Sequence, residues 1–134
     1  MSGAMNGEPD RSSYWIERAE YDLETAKAMQ QTGRYLYVGF MCQQTVEKAL
    51  KAVIAKRGVF PPKIHDLVRL AELGHLNGML NNDQNHFLDE LYPLSIEARY
   101  PSHKEMLTQT LNEHTCAEYI KKTEAMLQWI KEKL

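Results

Sequence analysis

No proline occurs between Pro9 and Pro61, none follows Pro101, and no glycine follows Gly78. Proline removes a helix hydrogen-bond donor and clashes with the preceding turn, so windows without it are where long helices can run. These windows are rich in Ala, Leu, Glu, Lys, Gln and Met, all good helix formers. No stretch alternates apolar and polar residues for long enough to make a strand. The chain is therefore read as all-α, an antiparallel helical bundle of about five helices, three long and two short. Its 134 residues suffice for one core but not for two. Residues 13–134 are expected to form a single domain behind a flexible leader over 1–12.

Local signals set the expected boundaries. Helix 1 is predicted over Ser13–Gln31, capped by Ser12 or Ser13 and stopped by Gly33. Its apolar stripe is Trp15, Ala19, Leu23, Ala26 and Met29. Helix 2 is predicted over Tyr35–Arg57, with Gly58 as its stop. Tyr35, Val38, Cys42, Val46, Ala49, Leu50 and Val53 recur on one face. Pro61-Pro62 forces an extended link. A short helix 3 follows over Asp66–Leu73, stopped by Gly74 and the turn after it. Helix 4 is predicted over Asp83–Tyr92, with an irregular segment between Pro93 and Pro101. Helix 5 is predicted over Leu111–Lys133, with Thr110 and Glu113 as a capping box.

Charge excludes one broad class. Sixteen Lys+Arg against eighteen Asp+Glu give a formal charge of −2. Proteins that coat nucleic acid non-specifically are basic, so any nucleic-acid contact here must use a local basic patch. No apolar run is long enough to span a membrane. Cys42 and Cys116 stand far apart, which predicts buried, reduced thiols in a cytoplasmic protein. Glu72 and His75 have the Glu-x-x-His spacing of di-metal bundles, but no second copy accompanies them. His86 and Glu90 stand alone. No metal and no cofactor is expected, and His75, His86 and His114 are assigned no role.

Several residues break the simple pattern. Asp22 lies within the apolar stripe of helix 1, and a buried carboxylate must be answered by a cation or several donors. It is either a structural ion pair or an orienting residue behind a functional cation. Helix 2 has a second face, with Tyr37, Phe40, Gln44, Lys48 and Lys51, and with Glu47 beside them. Either helix 2 is central and packs on several helices, or this face docks a partner, most simply a second copy. His65 and Asp66 open helix 3, where capping and packing suffice to explain them. Arg99, Tyr100 and His103 lie in the densest chemical cluster. Arg99 could hold a phosphate and His103 could remove a 2′-hydroxyl proton, which is metal-free RNA cleavage. The plainer alternative ties Arg99 to a helix carboxylate such as Asp22.

These residues together resemble the HEPN family, small prokaryotic helical proteins often encoded beside a minimal nucleotidyltransferase. The resemblance rests on Trp15 followed by Ala19-Glu20-Tyr21-Asp22-Leu23 and Ala26, then Gly33-Arg34-Tyr35. The run Cys42-Gln43-Gln44-Thr45-Val46-Glu47-Lys48-Ala49-Leu50-Lys51-Ala52 follows, and then His65-Asp66-Leu67 and Arg99-Tyr100-Pro101. It implies a bundle that is commonly dimeric, a nucleotidyltransferase partner, and a toxin–antitoxin or nucleotide-handling role. Many members are metal-independent ribonucleases with an Arg, a polar neighbour, and a His after four to six intervening residues. Here only three residues separate Arg99 from His103, and Tyr100 replaces the polar neighbour. Arg69 and His75 have five between them but straddle helix 3 and its turn.

The first expectation is a binding module that pairs with a nucleotidyltransferase and takes nucleotide or RNA phosphate. Its ligand-binding set is Asp22, Gln44, Glu47, Lys48, Lys51, His65 and Tyr100, with Arg99 beside them. The alternatives are a ribonuclease toxin whose catalytic residues are Arg99 and His103, and a ligand-free structural adaptor. A homodimer is expected in each case.

Overall fold

A computed structural model describes residues 11–97 and 110–134, excluding the side chains of 96 and 97. The described helices are α1 (Ser12–Gln31), α2 (Tyr35–Lys56), α3 (Leu67–Leu73), α4 (Asn82–Glu97) and α5 (Glu113–Lys131). The all-α bundle expected from the proline and glycine pattern is what forms. Of the leader expected over 1–12, only Arg11 and Ser12 are described; they are the N-cap and first residue of α1.

α1 and α2 form a helical hairpin across a turn at 32–34. Gly33 takes φ +74° there, and the Arg34 amide donates back to the Met29 carbonyl at 2.9 Å. This left-handed closure satisfies carbonyls that the helix end would leave unpaired. α1 also runs antiparallel to α5, since Glu20 pairs with Lys131 at 2.8 Å and Lys27 with Glu124 at 2.9 Å. α2 and α5 therefore point the same way, and the chain returns between them through α3 and α4.

α2 is the central element, packed against each of the other four helices. Its second face is graded: Glu47 and Lys51 are buried, Phe40, Gln44 and Lys48 are partly buried, and Tyr37 is exposed. Ala19 and Ala26 on α1 and Ala49 and Ala52 on α2 are fully buried, which favours close helix approach. At Gly39 the fit is tighter still. A Cβ there would sit 3.0 Å from a Leu111 methyl and 3.1 Å from a Leu94 methyl. The expected stripe of α1 is shifted slightly, because Ile16 is buried while Trp15 and Met29 are only partly so.

Four local expectations are corrected. α4 does not end at Tyr92 but continues through Pro93 to Glu97. Pro93 lies on the exposed side while Leu91, Leu94 and Ser95 are buried. The carbonyl that loses its amide partner can therefore be solvated while packing holds the helix together. α5 begins later than Leu111, and its cap is Asn112, whose side chain accepts from the Thr115 amide at 2.8 Å, not Thr110. α1 has Arg11 at its N-cap in a helical conformation, with Ser12 already inside the helix. α3 ends differently as well: the left-handed residue is His75 at φ +60°, and Gly74 has φ −85°. Gly74 is required for space, since a Cβ there would meet Val53 at 3.2 Å.

Two stability outcomes follow. His75→Gly should stabilise the protein by about 1 kcal/mol, because a side chain in the left-handed region costs about that much. Gly39→Val should destabilise it by about 1–3 kcal/mol through overpacking. Urea unfolding at constant m-value measures both.

Candidate functional site: a charged seam on the central helix

Glu47 sits in the middle of α2 and is buried. A carboxylate there must be met by donors, and the sequence supplies three on the same helix. Gln43, one turn before, donates from Nε2 to Glu47 Oε1 at 3.0 Å. Lys51, one turn after, places Nζ 3.1 Å from Oε2. Gln44 lies with its amide 3.5 Å from Oε1 and 2.7 Å from the side-chain oxygen of Gln43. The fourth donor comes from outside. The Pro61-Pro62 link swings His65 back so that Nδ1 lies 2.8 Å from Oε1. Burial pushes the Glu47 carboxyl up, but the hydrogen bonds from Gln43 and His65 and the charge of Lys51 outweigh it, and its pKa is lowered. Glu47 is thus a fixed anion, and the imidazole it orients is 47% exposed. The Lys51 ammonium lies 5.6 Å above the Trp15 ring.

A second ion pair lies beside the first. Asp22 is buried on the inner side of α1, and its carboxylate meets the Lys48 ammonium in a short hydrogen bond. The Lys48 side chain keeps 24% of its surface, against 8% for Asp22. The buried partner therefore holds a cation at the protein surface. The arrangement ties α1 to α2 by charge where their neighbours do so by apolar packing.

Of the expected ligand-binding set, Gln44, Glu47, Lys51 and His65 form one network, and Asp22 joins Lys48 in the adjacent pair. Arg99, Tyr100 and His103 lie outside the described residues. Asp22 is answered by Lys48 alone among the described cations within hydrogen-bonding distance. Asp66 caps α3, accepting from the Arg69 amide at 3.2 Å. Gln43 escapes sequence reasoning as a site residue, although it is fully buried and donates to Glu47. Its signal is its position one turn before a core glutamate. Trp15, expected in the core stripe, packs partly buried against the core and also covers Lys51. Cys42 and Cys116 are free and buried, and burial pushes their thiols up to about 12 and about 11. Among the described residues, no three His, Cys, Asp or Glu side chains are grouped to hold a metal ion. No described helix is long and apolar enough to cross a membrane.

Fold and seam define a small all-α domain whose central helix buries charge in its middle. The chain belongs to the HEPN family: the model described as "HEPN domain" matches residues 12–134. Among solved structures, it resembles TT1696 from Thermus thermophilus with a TM-score of 0.81 and 23% identity. That likeness covers 94% of this chain and 100% of the other, and it is one of fold. It also resembles ST0689, "an archaeal HEPN homologue", with a TM-score of 0.65 and 25% identity over 93% of this chain and 98% of that one. Among curated sequences, 45 residues are 47% identical to "Putative toxin MJ1304" of Methanocaldococcus jannaschii. That match spans 34% of this chain and only 30% of the relative's length.

Glu47→Ala should destabilise the protein by about 3–5 kcal/mol, because it strands a buried Lys51 without its counter-charge. The pH dependence has a definite sign. With its pKa lowered from 4.5 on folding, Glu47 contributes its full stabilisation above that value and loses it as pH falls through the folded pKa. Urea midpoints measured from neutral to acid pH should therefore fall, and Glu47→Gln should make that fall shallower. An equally steep acid limb in the variant would remove Glu47 from the account.

Proposed function

We propose that this chain is a HEPN-type binding module that pairs with a nucleotidyltransferase protein in a toxin–antitoxin-like system and takes nucleotide or RNA phosphate on its α2 seam. The observation that carries the reading is the Asp22–Lys48 pair. A buried carboxylate holds an ammonium at the surface, beside half-buried Gln44, which orients the ammonium's remaining donors for charge-assisted hydrogen bonds to an anion. The exposed imidazole of His65, oriented by Glu47, belongs to the adjoining network. Arg99 and Tyr100 enter the proposed site through the family resemblance. The partial likeness to a protein described as "Putative toxin" supports the biological role. Tyr37, 42% exposed on α2, supports association of two copies.

Lys48→Gln should weaken binding of a nucleoside monophosphate about tenfold, as measured by calorimetry, while Lys48→Arg retains it. Co-expression with a small nucleotidyltransferase should yield a complex that co-purifies, and light scattering of this chain alone should give a dimer. A wild-type protein that binds neither nucleotide nor the nucleotidyltransferase would end the reading.

The family resemblance, together with the partial likeness to a protein described as "Putative toxin", favours a second reading, a metal-independent ribonuclease using Arg99 and His103. On that reading Arg99→Ala and His103→Ala each abolish RNA cleavage in the presence of chelator. Absence of cleavage by concentrated wild-type protein rejects it.

A further inference from the structure

The outer side of α1 alternates cations and aromatics. Arg11, Tyr14, Arg18 and Tyr21 stand at spacings of three, four and three residues. At 100° per residue they fall within one narrow exposed stripe, about 15 Å long at 1.5 Å per residue. Tyr14 is 48% exposed and Tyr21 70%. Each arginine is already set against an aromatic ring. The Arg18 guanidinium lies 5.3 Å from the Tyr14 centroid and its Nε donates to the Tyr14 hydroxyl at 3.3 Å. Arg11 lies 6.0 Å from the ring centroid of Phe60, which the α2–α3 link leaves 75% exposed.

This stripe is anchored to the seam beneath it. Lys51, bound to Glu47, sits over Trp15, and Trp15 meets Tyr14 edge to face at 5.4 Å and 82°. Arg18 lies within electrostatic reach of Asp22 and Tyr21, and its pKa is raised chiefly by the Tyr14 hydrogen bond. The aromatic surface thus stands on a rigid base and runs alongside the Asp22–Lys48 pair.

We infer that this stripe is a stacking surface for the bases of single-stranded RNA, with Arg11 and Arg18 meeting its phosphates. Aromatic faces accept any base, and arginine planes both stack on bases and neutralise the backbone. The alternation suits a strand that offers a base and a phosphate at every nucleotide. A duplex keeps its bases inside and cannot use the rings. The surface also supplies the local cations that a chain of net charge −2 needs for such a ligand. Carboxylates flank the stripe, Asp22 near Arg18 and Glu24 near Tyr21; Glu17 projects on the far side of the tyrosines from Arg18, and it provides a test. The inference rests on the nucleic-acid part of the proposed function and adds the surface and the strandedness.

Fluorescence anisotropy with a short oligouridylate, and with duplex RNA of equal length, tests it. Wild-type protein should prefer the single strand. Tyr14→Ala, Tyr21→Ala and Phe60→Ala should each weaken binding about 5- to 100-fold, with circular dichroism unchanged. Arg18→Ala should weaken it and reduce the salt slope by about 0.7. Glu17→Gln should tighten it. If the wild type binds RNA but Lys48→Gln weakens binding while the stripe variants do not, the inference falls and the proposed function stands. If the wild type binds no RNA, the RNA part of both falls. If the stripe variants leave RNA binding unmoved and instead dissociate a dimer or release the nucleotidyltransferase, the stripe is a protein interface and the inference is overturned.

Discussion

A carboxylate in the centre of a buried helix sets the terms for everything around it. Glu47 cannot remain ionised inside α2 unless donors surround it, and leaving it unpaired would cost several kcal/mol. Three donors come from its own helix, Gln43, Gln44 and Lys51. The fourth, His65, must be delivered by the chain after it has left α2 and turned at two prolines. The path of the α2–α3 link is therefore coupled to the charge state of one side chain. Lys51, once buried, needs cover too, and Trp15 of α1 provides it.

The consequence is a domain whose specificity of assembly is ionic at two points along the same helix hairpin. Apolar packing brings α1 against α2, but alanine-rich contacts alone fix register only weakly. Asp22 with Lys48 and Trp15 with Lys51 choose one register among the neighbouring ones, because any shift would bury an unanswered charge. The same devices reach the surface. Lys48 is held by a buried partner, His65 is oriented by a buried anion, and the Tyr14 ring is seated on Trp15. Groups fixed in this way are ordered before any ligand arrives, which lowers the entropic cost of the binding proposed above.

Much of this is legible in the chain. Asp22 interrupts an apolar period and so marks itself as a charge needing an answer, and the structure answers it with Lys48. The helices before Pro61 can be placed within a residue because glycine and proline act locally. The pattern misleads where tertiary packing overrules a local rule. Pro93 looks like a helix stop, yet burial of Leu94 and Ser95 carries α4 past it. Gly74 looks like a conformational stop, yet it makes room for Val53 while His75 takes the left-handed turn. Gln43 and the stacking role of Trp15 are hidden in the sequence because both depend on what a neighbouring side chain does in space.

Periodicity and punctuation by themselves determined that the chain is helical, where α1, α2 and α3 lie, and that Asp22 required a counter-charge. These properties follow from interactions within a few residues, which any stretch of chain carries with it. Only the tertiary structure decided that α2 is central, that Glu47 and Lys51 on its second face are interior while Tyr37 is exposed, and that Lys48 is the cation that meets Asp22 among the described residues. It also decided that Phe60, from the α2–α3 link, joins Arg11 of α1 on one surface. Such pairings join residues far apart in sequence, and their energies depend on desolvation, which no local pattern encodes until the helices have closed around them.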